Sequence, residues 1–452
     1  MPFEGEARSW QAIKRLASNP RIRELLKVIR LPEQDQVGSP SLVVAATRPS
    51  TYLPRFVIAI DGSWQGHEPQ KGFPGAELAY LTISTVILDV AKLASLSQLK
   101  VQQPPTEYRK LENAESLDTV LPGCNVIFRD EPHARASFRR ALYETLEQQK
   151  GWEGCENLLL TYEALLGHRH EANTGCPWEE CEESVNRRFR GFGTYQCSCG
   201  KRQLYSTDSL RIDEGINPTG SSGKAFGEVM QILERLRLVH ILRMVEQKDL
   251  LPVLSQLAFV VDGPLAVYGH PAWLSQAIYQ ELRRLNQLLR KHGLPDLLVI
   301  GIEKSGIFVE HLLRLDQDEK GVPDRLPRQS VYLPTDAYIK RNIVFSDSPQ
   351  LYGKQTYFGR KFFYKTKAGS LLVAAVPFLD PRHHDTSTAE PEQFPRLADA
   401  LNLLDRLETT RYPNALIPLT AAHAEATLPM SIGRQVLEKL ARDLMSSRNV
   451  QG

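Results

Sequence analysis

Two short apolar runs, each ending on an Asp-Gly pair, constrain the fold of this chain more than any other feature. The first is "FVIAID" at 56–61, followed by Gly62, and the second is "LAFVVD" at 257–262, followed by Gly263. Short apolar runs rich in β-branched residues predict buried strands. Because glycine lets the backbone turn sharply, each aspartate is predicted to point into the space beyond the edge of the sheet.

These two aspartates, Asp61 and Asp262, are candidate ligands of a divalent cation. Two carboxylates placed together repel each other and both stay deprotonated only if a cation lies between them, as in Mg²⁺ and Mn²⁺ sites. The alternative is that each Asp-Gly pair is simply a turn dipeptide. Both interpretations stay open on the sequence alone.

A third candidate carboxylate lies in a predicted helix at 224–247. Glu234 falls within an otherwise apolar stripe of that helix, where a carboxylate is costly unless it meets a cation or a hydrogen-bond donor. The alternative is a buried pair with an arginine, such as Arg237. Glu228 is predicted to lie near Arg235 on a polar, solvated face.

The order of predicted elements indicates an α/β protein. Strands predicted at 56–61, 77–90, 257–262 and 296–304 are interleaved with helices at 131–167, 224–247 and 271–293, and further strands and helices follow at 337–379, 393–408 and 432–446. We expect an N-terminal part of a core at 1–165, a small insert at 166–215 and the remainder of the core at 216–452.

The insert contains two close pairs of cysteines. They are spaced C-x4-C and C-x-C with fifteen residues between the pairs, at Cys176, Cys181, Cys197 and Cys199. Four cysteines in this arrangement predict one tetrahedral structural Zn²⁺ site. His168 and His170 lie close enough in sequence to replace a cysteine, and the alternative is four unrelated thiols.

Charge and hydropathy narrow the class of protein further. The net charge is only +2, so a nucleic-acid-binding surface must be a local patch. The N-terminus lacks the apolar segment of a secretory signal, and no run reaches the roughly 18 apolar residues of a membrane span. We therefore expect a cytoplasmic protein with no membrane segment, in which disulfides are disfavoured.

A basic ribbon at 338–367 is the local patch that the charge argument requires. It carries seven Lys or Arg residues, one Asp and eight aromatic residues. Cations bind phosphates and exposed aromatic rings stack on unpaired bases. The alternative is a pair of strands with a buried aromatic face and a solvated basic face.

The stretch "TGSSGKAFG" at 219–227 invites a phosphate-loop interpretation that its spacing rejects. A Walker A motif needs four residues between its glycines and a hydroxyl residue after the lysine, whereas Gly220 and Gly223 are too close and Ala225 follows the lysine. We predict a loop and a helix start, whose backbone N–H groups could approach a phosphate without ATP hydrolysis.

Four motifs in a fixed order carry a resemblance to a known family. "IDGS", "VVDGPL", "LVIGIEKSG" and "YPNALIPLTAAH" resemble in this order the motifs of the NurA nucleases, here as a bacterial version with a zinc-binding insert. The resemblance covers roughly 50–90 and 220–435. It implies an RNase H-like, PIWI-like core with a mixed sheet flanked by helices.

The resemblance also implies roles for individual residues. The metal-binding carboxylates of the family fall on Asp61, on Asp262 and on Glu234, with Glu228 as the fallback. The family's remaining site residues fall on Lys304, Tyr412 and His423.

The implied activity is two-metal phosphodiester hydrolysis with Mn²⁺ or Mg²⁺. The implied partners are DNA, a HerA-like hexameric ATPase and a second copy of the chain, in DNA-end resection or defence against phage. The alternative function is a non-cleaving module that binds nucleic acid or the ATPase. A predicted amphipathic helix at 8–30 is a candidate for docking the motor, although it could equally pack against its own core.

Overall fold

The computed structural model describes residues 14–15, 18–28, 43–44, 50–67, 76–97, 112–169, 176–178, 181, 192–197, 203–217, 219–317, 321, 323–408 and 415–427. The strands are β1 (Val43–Val44), β2 (Phe56–His67), β3 (Leu78–Asp89), β4 (Glu112–Pro122), β5 (Thr194–Gln196), β6 (Gln203–Tyr205), β7 (Leu257–Asp262), β8 (Val299–Glu303), β9 (Ser330–Leu333), β10 (Gly359–Lys365) and β11 (Leu371–Pro377). The α-helices are α1 (Pro20–Val28), α2 (Val90–Ser97), α3 (Ala134–Gln148), α4 (Leu158–Gly167), α5 (Gly223–Gln247), α6 (Leu251–Leu254), α7 (Leu274–Lys291), α8 (Ile307–Leu315), α9 (Asp336–Asn342), α10 (Leu397–Leu407) and α11 (Ile417–Ala426). Short 3₁₀ helices lie at Ser206–Leu210, Ile212–Gly215, His270–Trp273, Pro381–His384 and Pro391–Gln393.

Nine strands form one mixed sheet in the order β1-β9-β10-β11-β8-β7-β2-β3-β4. Strands β2, β3 and β4 form an antiparallel meander, and β7 and β8 run parallel to β2. The segment β4-β3-β2-β7-β8 therefore has the strand order and directions of an RNase H-like sheet. The predicted α/β class, with a mixed sheet flanked by helices, is confirmed.

The two faces of the sheet bury separate cores because side chains alternate along each strand. From β2, Ile58 and Ile60 enter one core, which includes residues of α3, α4, α5 and α7. Val57 and Ala59 enter the other, which includes residues of α10 and α11. This alternation decides from which face each polar side chain near the end of β2 can be reached.

The prediction that β2 ends at Asp61 and turns at Gly62 is wrong. The strand continues to His67, because β3 pairs with it along its whole length. Its parallel neighbour β7 stops pairing after Ile60, which lies opposite Val261. Asp61 is thus an internal strand residue at the point where one neighbour leaves the sheet. The second aspartate, Asp262, does end its strand, and Gly263 follows with a positive φ of 76°.

The N-terminal residues form a compact unit of their own, Met1–Ser41, separate from the unit Leu42–Gly452. Within it the structure describes helix α1, Pro20–Val28, and the remainder of the predicted helix at 8–30 lies largely outside the described residues. The predicted helix at 432–446 also lies outside them. None of the helices in the described part of the chain combines the length and apolarity that crossing a membrane requires.

Candidate active site

Asp61 is buried, with 1% of its surface exposed. Its Oδ2 accepts a hydrogen bond of 2.8 Å from Nζ of Lys304 and lies 3.3 Å from Nδ1 of His423. Its Oδ1 is buried and has no hydrogen-bond partner among the described residues. A buried carboxylate oxygen without a donor is costly, so this atom requires an explanation beyond the fold.

Asp61 and Asp262 both contact the ammonium group of Lys304. Lys304 follows β8 directly, and its Nζ lies 3.1 Å from Oδ1 of Asp262 as well as contacting Asp61. Strands β2, β7 and β8 are parallel. Asp61 lies where β7 stops pairing with β2, and Asp262 and Lys304 lie at the carboxyl ends of β7 and β8, so these three side chains come together at one edge. An ammonium group therefore lies between the two carboxylates, where the sequence analysis expects a divalent metal ion.

His423 reaches the same place from helix α11 on the second-core face. Its side chain is 57% exposed and its Nε2 lies 3.3 Å from Oγ1 of Thr427. The end of this helix is held against the strand, because Ser63 donates a hydrogen bond of 2.6 Å to the carbonyl of Ala426. His423 is thus a solvent-accessible imidazole in contact with a buried carboxylate.

Glu234 approaches from the opposite face of the sheet. It lies on α5, on the face that Gly62 presents, and a Cβ atom on Gly62 would be 2.7 Å from its Oε1. The same Cβ would lie 2.8 Å from both Ile83 and Met230. Gly62 is therefore explained by close approach of a side chain and not by a turn.

Arg235, which the sequence pattern assigns to a solvated face, is in fact buried, with 2% of its surface exposed. Its Nη1 lies 3.1 Å from Oε2 of Glu234, and its Nη2 donates to the carbonyls of Asp262 and Pro264 at 2.9 Å each. The expectation of Arg237 as the partner of Glu234 is wrong, because Arg237 bonds Thr85 and Glu115 instead. The one sequence signal for burial of Arg235 is that it directly follows Glu234, a carboxylate in an otherwise apolar stripe.

The electrostatics differ sharply among the three carboxylates. Burial opposes ionisation of Asp61, yet the hydrogen bond to His423 and the charge of Lys304 hold its pKa below the usual range. Burial and the charge of Asp61 raise the pKa of Asp262. Complete burial raises the pKa of Glu234 to about 8, against the pull of Arg235, and the two aspartates add to the rise. The two aspartates are thus near enough to Glu234 to affect its charge.

The two basic groups of the site, Lys304 and His423, also have raised pKa values. The hydrogen bond to Asp61 raises the pKa of His423 above its ordinary value. Burial works against the charge of Lys304, but Asp61 and Asp262 raise its pKa. The aspartates therefore favour the protonated, positively charged forms of both Lys304 and His423.

The fallback glutamate, Glu228, does not contact either aspartate. Glu228 lies 3.9 Å from Lys224 and 3.9 Å from His270, and its ion-pair contacts include neither aspartate. Tyr412 lies outside the described residues. Glu234 is therefore the helix carboxylate whose pKa the two aspartates raise.

The donor set at this edge suits a hard divalent cation. Mg²⁺ and Mn²⁺ prefer carboxylate oxygens, and Asp61, Asp262 and Glu234 supply them from two strands and one helix. Oδ1 of Asp61 has no partner among the described residues, and burial is the main cause of the raised pKa of Glu234. The residue types suit such an ion, although among the described residues only the cysteine cluster has three ligand atoms within 4.8 Å of one another, and Lys304 is the counter-ion of the two aspartates in this structure.

Three of the four predicted zinc ligands converge. The sulfur atoms of Cys176, Cys181 and Cys197 all lie within 4.8 Å of one another, with Cys197 3.7 Å from each of the other two. Tetrahedral zinc with Zn–S bonds of about 2.3 Å places sulfurs about 3.8 Å apart, so the spacing fits. Cys199 and His170 lie outside the described residues, and His168 contacts Glu281 at 3.3 Å.

The glycine-rich stretch before α5 is occupied by a carboxylate of the chain itself. Glu77 accepts hydrogen bonds from Oγ of Ser221 at 3.0 Å and from the backbone N–H of Ser222 at 2.7 Å. A helix N-terminus favours an anion, and Glu77 supplies it. The approach of a phosphate to this loop, which the sequence left open, is therefore not favoured.

Three of the seven cations of the basic ribbon are buried. Arg360, Lys361 and Lys365 are buried and bonded to backbone carbonyls or carboxylates, so the predicted solvated basic face is wrong. Of the other cations, Lys354 and Lys367 are exposed. The predicted pair of strands within 338–367 is also wrong, because this range holds the end of helix α9 and the single strand β10, whose partner β11 lies beyond residue 367, and the ribbon gives little support to a nucleic-acid surface.

Comparisons with known proteins give only distant likenesses. No protein-family model matches the chain, and no curated protein matches it. The chain is similar to the crystal structure of the NurA nuclease from Sulfolobus solfataricus, with 11% identity, a TM-score of 0.35 and coverage of 98% of both chains. It is also similar to a structure described as NurA, with 10% identity, a TM-score of 0.23 and coverage of 96% of this chain and 98% of that one. With TM-scores this low, function must be argued from the residues of the site.

Proposed function

We propose that this chain is a metal-dependent nuclease that hydrolyses phosphodiester bonds of DNA. The observation that carries the proposal is that Asp61 and Asp262 both contact Lys304 at one edge of an RNase H-like sheet, where they also raise the pKa of Glu234, and that Oδ1 of Asp61 is buried with no donor among the described residues. The resemblance of the ordered sequence motifs to those of NurA nucleases supports the same activity.

In this proposal the three carboxylates hold Mn²⁺ or Mg²⁺. When bound, the ions supply Lewis acidity and positive charge at the scissile phosphate. Asp61 contributes a ligand that stays ionised at neutral pH, because its pKa is lowered. Glu234, whose pKa burial raises to about 8, would hold an ion in its deprotonated form.

Lys304 and His423 act on the substrate side of the site. Lys304 has a side chain that is 39% exposed, so its ammonium would be accessible to a phosphate oxygen of the substrate. His423 is exposed and its raised pKa favours the imidazolium, which can position or protonate an oxygen at the phosphate. Tyr412 is a further candidate from the family motif.

The resemblance extends the proposal to partners and structural metal. We propose a homodimer that acts with a HerA-like hexameric ATPase in end resection or defence against phage, because the chain has no Walker A motif of its own. We also propose that Cys176, Cys181, Cys197 and Cys199 hold Zn²⁺.

The second candidate function is a non-cleaving module that binds nucleic acid or the ATPase. One observation favours it, because Lys304 already neutralises the two aspartates without any metal ion. In that case the cluster would be a structural ion-pair network.

A cleavage assay separates the two candidates. End-labelled single- and double-stranded DNA is incubated with Mn²⁺, with Mg²⁺ or with chelator. We expect cleavage that needs the metal and falls at least about 1,000-fold in Asp61→Asn, with DNA affinity nearly unchanged. Asp118→Asn, on β4, is the control. DNA binding without cleavage in every condition favours the second candidate.

A further inference from the structure

The guanidinium of Arg235 connects two parts of the site that belong to different elements. Glu234 lies on α5, whereas Asp262 ends β7 and is followed by a turn at Gly263. Arg235 meets the carboxylate of Glu234 with Nη1 and the carbonyls of Asp262 and Pro264 with Nη2. The side chain thus contacts both the helix carboxylate and the backbone that carries the strand carboxylate.

The turn that follows β7 packs closely around the side chain of Arg235. A third contact, of 3.4 Å, runs from Nε of Arg235 to the carbonyl of Ala266. Gly263 has a positive φ of 76°, and a Cβ atom there would lie 3.2 Å from Nη2 of Arg235. The carbonyl groups of this turn therefore point towards the guanidinium, and Gly263 has no side chain that would crowd it.

Only an arginine can make this set of contacts. Its planar group offers five donors in fixed directions, and they reach a carboxylate and several carbonyls at once. A lysine at the same position supplies the charge but only one nitrogen atom. A cation can be buried this completely only where its hydrogen-bond donors have acceptors. The contacts of Arg235 supply those acceptors.

We propose that Arg235 is a positioning residue that fixes the separation between Glu234 and Asp262, so that both carboxylates can bind the same group of divalent cations. This inference rests on the proposed function for the identity of the cations. Arg235 does not touch substrate in this role and acts through the two carboxylates. Loss of outer contacts of this kind typically costs 10- to 100-fold in metal affinity.

Arg237 provides a matched control on the same helix. It is also buried, with 8% of its surface exposed, but it bonds Thr85 on β3 and Glu115 on β4. Arg235→Lys and Arg237→Lys therefore make the same chemical change two residues apart. A purely structural role predicts the same kind of defect in both variants.

The experiment measures thermal stability, Mn²⁺ affinity by calorimetry and single-turnover cleavage for the wild type and both variants. We expect Arg235→Lys to weaken Mn²⁺ binding about 10-fold and slow cleavage about 100-fold. Arg237→Lys should keep both within about threefold of the wild type even where it melts earlier. Equal defects in the two variants, or unchanged Mn²⁺ affinity in Arg235→Lys, overturn the proposal.

A second variant covers failure of Arg235→Lys to fold. The double change Glu234→Gln with Arg235→Met removes both buried charges, and we expect it to fold and to bind Mn²⁺ weakly. An unfolded double variant assigns Arg235 a structural role only and overturns the proposal. If the wild type binds Mn²⁺ but does not cut DNA, the proposed function fails, and the role of Arg235 is still decided by the Mn²⁺ affinities.

Discussion

Oε1 of Glu234 lies 2.7 Å from where a Cβ atom of residue 62 would be. The carboxylate of Glu234 comes close to the backbone of β2 only because Gly62 has no side chain. The Asp-Gly pair at 61–62 therefore serves both faces of the sheet, with the aspartate on one face and the space for Glu234 on the other.

Gly62→Ala should impair the site more than the fold. The added methyl would lie within 2.8 Å of Glu234, Ile83 and Met230, which must move apart. We expect a stability loss of about 1–3 kcal/mol by chemical denaturation and a loss of cleavage of about 100-fold. The control is Gly66→Ala on the same strand, where the nearest atom is 3.2 Å away. Cleavage by Gly62→Ala at the rate of the control would contradict the role given to Gly62.

Lys304→Met should make stability depend on divalent cations. Without the ammonium, the carboxylates of Asp61 and Asp262 repel each other, and we expect the protein to lose about 1–2 kcal/mol of stability. Mn²⁺ should restore the loss, so its effect on Tm should exceed that in the wild type. Lys354→Met, at an exposed position, is the control. Equal Mn²⁺ shifts in Lys304→Met and wild type would show that no cation replaces the lysine.

Zinc removal should affect the insert selectively. The cluster of Cys176, Cys181 and Cys197 packs with Trp178 against α3 at Ala136. We expect about one Zn²⁺ per chain by elemental analysis, lost in Cys181→Ser and retained in Cys155→Ser. Protease cleavage within 170–202 should then increase, while Mn²⁺ binding at the carboxylates persists. Protein without zinc that resists protease equally well would rule out a structural zinc site.

The pH dependence of stability should include a contribution from His240. Its ring is buried, with 1% of its surface exposed, and burial lowers its pKa to about 4 from 6.5. The folded state therefore binds fewer protons than the unfolded state between these values, so stability falls as pH decreases from about 6.5 to about 4, by up to about 3 kcal/mol.

His240→Gln should flatten this slope, because the neutral side chain does not titrate. Urea unfolding at pH 7.5 and pH 5 measures the difference, with exposed His292→Gln as control. His383, whose pKa burial also lowers to about 4, should retain its own share of the slope. A variant with the full wild-type slope would assign the acid sensitivity elsewhere.

Deletion of residues 1–41 tests the docking of the motor. These residues form a unit of their own, so we expect the remainder to keep its Tm and its metal-dependent cleavage of single strands. Co-purification with a HerA-like ATPase and ATP-dependent degradation of duplex DNA should be lost. A collapse of stability would mean that the segment belongs to the core. Equal duplex degradation with and without the ATPase would contradict the motor proposal.

The sequence alone determined the class of the fold and the chain segments that build the site. Apolar runs of strand length and one apolar stripe with a carboxylate are local patterns, so 56–61, 257–262 and 224–247 could be assigned from neighbouring residues. The cysteine pairs could be assigned for the same reason, since their spacing is itself the signal.

Only the tertiary structure decided where β2 ends, which arginine meets Glu234 and where the cations of the basic ribbon lie. Strand β2 continues through Asp61 because β3 pairs with it, and a pairing partner remote in sequence is invisible to local pattern. Arg235 is buried because a turn 30 residues away presents carbonyl groups to it, and Lys365 because Asp316 does the same with a carboxylate. The cost of burying a charge depends on such partners, and their positions are set by the folded chain.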